Sequence, residues 1–145
     1  MSKPGLTLVR QINAPPGKVY DAWIRPEGMA RWMGPGAVRS VDAEIDPRVG
    51  GTYRVLMRMA DGEEHCVGGT YRAIVPGEKL VFTWAWRSSP ERESLVTVTF
   101  RPLGMGTELT LLHDQFFDQD AADRHRGGWT HSLDRLVGAF AGENS

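Results

Sequence analysis

The chain has 145 residues, of which 41% are hydrophobic and 24% are charged, an ordinary balance for one globular domain of this length. Its formal net charge is −1, from 17 basic and 18 acidic residues, without a run of like charge. Neither a nucleic acid nor an anionic membrane is therefore an expected partner. A single cysteine excludes an internal disulfide, and no signal-like or membrane-spanning apolar run occurs. We predict a cytoplasmic protein without a membrane span.

The N-terminal quarter predicts a strand followed by two short helices. Apolar and polar residues alternate over residues 5 to 13, as in a half-buried strand. Pro16 suits the first turn of a helix, which must end near Arg25 because Pro26 follows. A second short helix would then close at Gly34-Pro35-Gly36.

From residue 41 onward the apolar period changes to two, which predicts six strands joined by hairpins. The connections fall at Asp46 to Gly51, Asp61-Gly62, Pro76-Gly77, Ser88 to Glu93 and Gly104 to Gly106. The Gly68-Gly69 pair lies inside the third of these strands, where it predicts a bulge or a sharp bend. Such a bend would let the sheet curl.

The last segment, residues 121 to 140, has the period of an amphipathic helix. Its apolar stripe comprises Ala122, His125, Trp129, Leu133, Leu136, Val137 and Phe140. An antiparallel sheet with one apolar face needs a cover, and this helix is the longest element predicted. The Gly127-Gly128 pair would weaken the helix by about 1 kcal/mol per glycine relative to alanine. A break there would turn His125 away from the sheet.

Several short motifs occur along the chain in a recognisable order. They are Ala14-Pro15, Pro26-Glu27, Arg31-Trp32-Met33-Gly34-Pro35, Gly50-Gly51-Thr52-Tyr53, Gly69-Thr70-Tyr71, Leu80-Val81-Phe82-Thr83-Trp84, Gly106-Thr107-Glu108-Leu109-Thr110-Leu111, His113 and Gly128-Trp129. Over about residues 6 to 140 the chain thereby resembles the family named after the activator of the ninety-kilodalton heat-shock protein ATPase. That family is part of the SRPBCC superfamily, with START, birch-pollen-allergen-like and polyketide-cyclase-like proteins.

The resemblance implies an α+β helix-grip fold. In this fold a curved antiparallel sheet of about seven strands wraps around a long C-terminal helix, two short helices follow the first strand, and a cavity lies between sheet and helix. We therefore expect one domain over residues 1 to 145, with its core at about 6 to 141. The superfamily hosts carriers, cyclases and cochaperone domains, so the fold alone assigns no function. Because the chain begins directly at the strand of the cochaperone's C-terminal domain type, we do not expect chaperone activation.

Large rings concentrate on the predicted inner sheet face and on the terminal helix. The predicted ligand-binding residues are Trp32, Tyr53, Met57, Tyr71, Trp84, Trp86, His113, His125, Gly128, Trp129 and Leu133. Apolar and aromatic side chains with a few N–H and O–H groups are typical of sites for apolar or aromatic small molecules. The alternative is that these rings only fill the core. No cofactor is expected.

His113 and His125 are the candidates for acid–base chemistry, because both fall on the apolar side of their elements. Two neutral imidazoles facing one space would suit a cyclase-like or hydrolase-like enzyme with one of them as general base. The alternative is that each is hydrogen-bonded within the core or its rim. No serine-hydrolase, P-loop, zinc-protease or dinucleotide motif occurs. The sequence leaves catalysis open and favours binding.

Two other side chains each allow two interpretations. Arg10 shares the parity of the inward residues of the first strand, where it would either anchor a ligand carboxylate or form a structural ion pair. Cys66 and His65 are adjacent on a strand and point to opposite faces, so we do not expect them to form a metal site. We expect Cys66 to be a buried thiol.

The outer sheet face supports a third hypothesis, that of a chaperone-linked or self-associating interaction domain. By parity this face carries Leu56, Val81, Leu95 and Leu112. A contiguous apolar face of this kind would suit a homodimer.

Overall fold

The computed structural model describes residues 4–34, 36 and 38–141. Its elements follow the predicted order of one strand, two short helices, six strands and a long helix. They are β1 (Leu6–Ile12), α1 (Pro16–Ile24), α2 (Pro26–Trp32), β2 (Val38–Ile45), β3 (Thr52–Met59), β4 (Glu64–Val75), β5 (Lys79–Trp86), β6 (Ser94–Leu103), β7 (Gly106–Asp114) and α3 (Gln119–Ala141). Pro35 of the predicted closing loop and both ends of the expected domain lie outside the described residues.

Prolines set the starts of the two short helices. Pro16 and Pro26 each stand in a first turn, where the fixed φ fits and the missing N–H needs no partner. Arg25 between the helices has extended backbone, φ −103° and ψ 129°, as expected for a residue that precedes proline. The chain therefore turns at Arg25, and α2 packs against β2 and α3.

The seven strands form one antiparallel sheet in the order β1-β7-β6-β5-β4-β3-β2. Hairpins join the consecutive strands from β2 to β7, and β1 pairs with the far edge of β7. Buried residues alternate with more exposed ones along β6 and β7, which gives the sheet one inner face. The predicted α+β helix-grip fold, a curved antiparallel sheet around a long C-terminal helix, is confirmed.

Glycines permit a close approach of two strands in the middle of the sheet. A Cβ atom at Gly69 on β4 would collide with the backbone carbonyl oxygen of Thr83 on β5, so a larger residue does not fit there. The shift of register lies between Tyr71 and Ala73, a few residues after the predicted Gly68-Gly69 position. The glycine pair therefore allows the strand contact, and the extra residue of the bulge is accommodated just beyond it.

Helix α3 runs unbroken through Gly127-Gly128. Its buried residues are Ala121, Ala122, Trp129, Ser132, Leu133, Leu136 and Phe140. Leu133 and Leu136 are fully buried, and each such burial contributes about 1.5–3 kcal/mol. Because this packing offsets the cost of the two glycines, the helix keeps its phase and His125 stays on the side of the sheet.

Candidate functional site

A cavity of about 630 Å³ lies between the sheet and the N-terminal half of α3. The strands contribute Met57, Met59, His65, Trp84, Trp86 and Ser94, the connections contribute Met33, Gly34, Ser88, Ser89, Arg92, Phe116 and Phe117, and α3 contributes Ala121, Arg124, His125, Gly128, Trp129 and Ser132. We call four buried members the deep wall: Met57, Trp84, Phe116 and Trp129. We call four exposed members the mouth: Ser88, Arg92, Phe117 and Arg124. The volume lies in the range of about 300–1,000 Å³ that is usual for small-molecule sites.

The structure divides the eleven predicted ligand-binding residues into two groups. Those that line the cavity are Met57, Trp84, Trp86, His125, Gly128 and Trp129. Those that do not line it are Trp32, Tyr53, Tyr71, His113 and Leu133. Each residue of the second group is at most 5% exposed. Strand and helix parity predicts that these side chains point inward, but parity does not distinguish a cavity wall from the filled part of the same core.

Three of the rings away from the cavity belong to that filled part. The Trp32 indole Nε1–H donates to the carbonyl oxygen of Ala22 at 3.0 Å. The Tyr53 hydroxyl donates to the carbonyl oxygen of Thr83 at 2.6 Å, and the Tyr53 ring centroid lies 5.6 Å from that of Tyr71. Because the polar groups of Trp32 and Tyr53 have protein partners, these side chains stabilise the core.

His113 near the end of β7 is completely buried in a chain of hydrogen bonds. Trp129 Nε1–H donates to His113 Nδ1 at 2.9 Å, so the neutral ring carries its proton on Nε2. This proton is donated to Ser94 Oγ at 2.7 Å, and the Ser94 hydroxyl donates to the carbonyl oxygen of Trp84 at 3.2 Å. Because His113 donates toward Ser94, it does not act as a base that activates this hydroxyl.

His125 on α3 holds the opposite tautomer at the cavity wall. Trp86 Nε1–H donates to His125 Nε2 at 2.8 Å. The proton of the neutral ring therefore lies on Nδ1, which donates to the carbonyl oxygen of Ala121 at 2.7 Å. The ring centroids of His125 and His113 are 5.3 Å apart, so the two candidates are neighbours although only His125 borders the cavity.

Burial keeps both imidazoles neutral. It lowers the pKa of His113 well below the ordinary value of 6.5, and the nearby His125 lowers it further. Burial also lowers the pKa of His125; the hydrogen bond to Ala121 opposes this effect, and the charge of Arg124 adds to it. Each neutral ring has one acceptor nitrogen, and an indole N–H occupies it in both cases. Neither ring therefore presents an unoccupied base to a ligand.

Arg10 and Cys66 lie outside the cavity lining. Arg10 on β1 forms an ion pair with Asp134 on α3, with 3.1 Å between Nε and Oδ1, so it takes the structural alternative. Cys66 is buried, whereas His65 beside it on β4 borders the cavity. Within residues 4–34, 36 and 38–141, no three His, Cys, Asp or Glu side chains are grouped closely enough to hold a metal ion.

The cavity also uses residues that the sequence did not indicate. Residues 87–93, between β5 and β6, supply Ser88, Ser89 and Arg92, and the connection from β7 to α3 supplies Phe116 and Phe117. Irregular segments have no periodicity that would tell which side chains face inward. The available signal is the adjacent Phe116-Phe117 pair, because two large apolar rings in a short connection need a partner surface.

The outer sheet face carries the four apolar side chains that would form a homodimer interface. Leu56, Val81 and Leu95 are half-buried there, and Leu112 is 38% exposed. They are distributed over four strands. Self-association through this face stays a prediction.

The comparison with protein families assigns the chain. The model described as Activator of Hsp90 ATPase homolog 1-like protein, abbreviated AHSA1, matches residues 13–141. The chain belongs to this family. The match includes both short helices, the strands β2 to β7 and α3, and thus every residue that lines the cavity.

Solved structures support the AHSA1 assignment. A protein from Chromobacterium violaceum is 30% identical in sequence, with a TM-score of 0.83 and coverage of 94% of this chain and 96% of its own. The AHSA1 protein from Silicibacter pomeroyi is 26% identical, with a TM-score of 0.81 and coverage of 97% and 99%. DynU16, a protein in the dynemicin biosynthetic locus, is 18% identical with a TM-score of 0.77, and the match covers 96% of this chain and 48% of DynU16. At that identity DynU16 shows the fold alone.

Membership of the AHSA1 family leaves the ligand to be argued from the site. No curated protein gives a significant sequence match. Among the described residues, no helix combines the length and the apolar character needed to cross a membrane. Because one fold supports many functions, the cavity and its chemistry have to carry the functional argument.

Proposed function

We propose that this protein binds an apolar or aromatic small molecule in the cavity between the sheet and α3. The observation that carries the proposal is the cavity of about 630 Å³ beside the buried apolar core. Its deep wall consists of two indoles, one phenyl ring and one thioether. A molecule seated against this wall gains about 25 cal/mol for each Å² of apolar surface removed from water. The family and its structural neighbours are consistent with such a role.

The hydrogen bonds of the site favour binding over acid–base catalysis. A general base needs a free lone pair within hydrogen-bond reach of the substrate proton. His113 does not border the cavity, and its lone pair is taken by Trp129. His125 does border it, but would first have to give up the bond from Trp86. A cyclase-like or hydrolase-like activity with either histidine as base is therefore the less favoured alternative.

A matched pair of glycine variants tests the proposal. A Cβ atom at Gly128 would enter open space at the cavity wall, whereas one at Gly127 would enter open space at the exposed side of the helix. We expect Gly128→Leu to fill part of the cavity and Gly127→Leu to leave the cavity unchanged. The probe is N-phenyl-1-naphthylamine, an uncharged aromatic molecule whose fluorescence rises in apolar sites.

The expected result is saturable binding of N-phenyl-1-naphthylamine to the wild type and to Gly127→Leu. Gly128→Leu should weaken that binding by about tenfold or more, since loss of apolar contact worth about 1.4 kcal/mol already gives a factor of ten. Far-UV circular dichroism confirms that both variants fold. Absence of probe binding to the wild type, or equal loss in the two leucine variants, would reject a ligand-binding cavity at this place.

Three expectations from the sequence stay predictions beside this proposal. They are a cytoplasmic location, a homodimer, and the absence of chaperone activation.

A further inference from the structure

The charged side chains that line the cavity are all basic. They are Arg92 and Arg124 at the mouth, and the imidazoles of His65 and His125 line the cavity beside them. No Asp or Glu belongs to the described residues that line it. In a chain with 17 basic and 18 acidic residues, this one-sided lining contrasts with the overall balance. It gives the cavity a positive mouth above an apolar deep wall.

Arg92 lies over an aromatic ring at the mouth. Its guanidinium carbon lies 4.1 Å from the centroid of Phe117, in a cation–π contact. Because the phenyl ring has no oxygen or nitrogen acceptor, this contact leaves the guanidinium N–H groups available to an acceptor on a ligand. The neighbouring Glu93 pairs with Arg72 on β4 at 3.5 Å. No carboxylate of the described residues pairs with Arg92.

Arg124 lies one helical turn before Gly128 on α3 and also lines the mouth. Its Nε lies 3.5 Å from Asp120 Oδ2, and the two side chains are 69% and 81% exposed. An exposed pair of this length contributes about 0–1 kcal/mol. Most of the five N–H donors of Arg124 therefore remain free for a ligand.

We propose that the ligand is an organic anion, with an apolar or aromatic body against the deep wall and one oxyanion group, such as a carboxylate, at Arg92 and Arg124. The proposal rests on the proposed binding function and specifies its ligand class. Guanidinium groups bind carboxylates and sulfonates through charge-assisted hydrogen bonds, which a neutral or cationic ligand does not form. An amine at the same place would meet like charge.

Two probes with the same ring system separate the contribution of the anionic group from that of the rings. 8-Anilinonaphthalene-1-sulfonate carries a sulfonate, and N-phenyl-1-naphthylamine lacks it. Both are titrated into the wild type, into Arg92→Gln/Arg124→Gln, and into the control Arg87→Gln/Arg126→Gln. The control removes the same charge from the same loop and the same helix, at exposed residues that do not line the cavity.

We expect the sulfonate probe to bind Arg92→Gln/Arg124→Gln, the mouth variant, about fivefold more weakly than the wild type. This is the effect expected when the sulfonate loses its exposed charge pairs with two guanidinium groups. The neutral probe should change by less than about twofold, and the control variant should bind both probes like the wild type. Raising the salt concentration should weaken binding of the sulfonate probe and leave binding of the neutral probe unchanged. Equal weakening of both probes, or equal effects of the mouth and control variants, overturns the anionic-ligand inference while leaving the binding function intact. Failure of the neutral probe to bind the wild type at all rejects the binding function itself.

Discussion

Trp86 Nε1–H donates a hydrogen bond to His125 Nε2 at 2.8 Å, and this contact joins β5 to α3 at the cavity wall. It occupies the only lone pair that the neutral imidazole has, because Nδ1 donates to Ala121. The hydrogen bond therefore links the two elements and occupies the nitrogen of His125 that could act as a base. Whether His125 meets a ligand as a base depends on whether the indole moves away.

Replacement of Trp86 by phenylalanine tests this relationship. The indole N–H stabilises the neutral form of His125, and its removal makes protonation easier. We expect the pKa of His125 to rise in Trp86→Phe relative to the wild type. Proton–carbon NMR titration of the imidazole Cε1–H resonance measures it directly.

Trp84→Phe is the matched control for that titration. Trp84 lies 6.2 Å from His125 between ring centroids, but its buried Nε1–H has no hydrogen-bond partner among the described residues. The control therefore removes an indole next to the same imidazole without removing a hydrogen bond to it. An equal pKa rise in both variants would show that ring loss and hydration, rather than the hydrogen bond, govern the titration of His125.

The two buried histidines also predict how stability depends on pH. The pKa of each is lowered in the folded state, while the unfolded chain titrates near 6.5, so the unfolded chain binds more protons below that pH. The stabilisation is fully present above about pH 6.5 and is lost as the pH falls through the lower folded-state pKa values. Each histidine contributes a slope of at most about 1.4 kcal/mol per pH unit.

Urea unfolding between pH 5.5 and 7.5 measures this dependence. The wild type should lose free energy of unfolding as the pH falls. His113→Gln/His125→Gln keeps a donor and an acceptor at both sites but removes the titration, so its free energy should vary less over the same range. Other titrating groups act on both proteins alike and cancel in the comparison. A variant with the same pH slope as the wild type would contradict a role for these histidines.

The sequence predicts the fold well because its signals are periodic. Pro16 predicts the start of α1, the alternation after residue 41 predicts the strands, and the apolar stripe predicts α3. Each of these signals is local, and the folded protein has the predicted element at each place. The cavity is less predictable. Parity directs Tyr53 and Trp84 to the same sheet face, yet only Trp84 borders empty space, because packing against α3 and the connections decides which rings are covered.

Hydrogen-bonded partners are the least predictable part of the site. The proton positions on His113 and His125 depend on Trp129 and Trp86, which are 16 and 39 residues away in sequence. Likewise, the choice between an ion pair and a ligand anchor for Arg10 depends on Asp134, which is 124 residues away. Such contacts depend on tertiary distances, so the sequence pattern indicates the candidates and leaves their roles open.

Gly69 and Gly127 each belong to a Gly-Gly pair, but replacement by alanine should change stability in opposite directions at the two positions. Gly127 is an exposed helical residue whose added Cβ would meet nothing within 4 Å, so Gly127→Ala should stabilise the protein by about 0.5–1 kcal/mol through helix propensity. Gly69→Ala should instead destabilise it by about 2 kcal/mol or more, because the new methyl group would collide with the rigid backbone at Thr83. Urea unfolding midpoints compare the two variants with the wild type. If Gly69→Ala were as stable as the wild type, the close contact of β4 and β5 would not exist as described; if Gly127→Ala were less stable, the unbroken course of α3 would be in error.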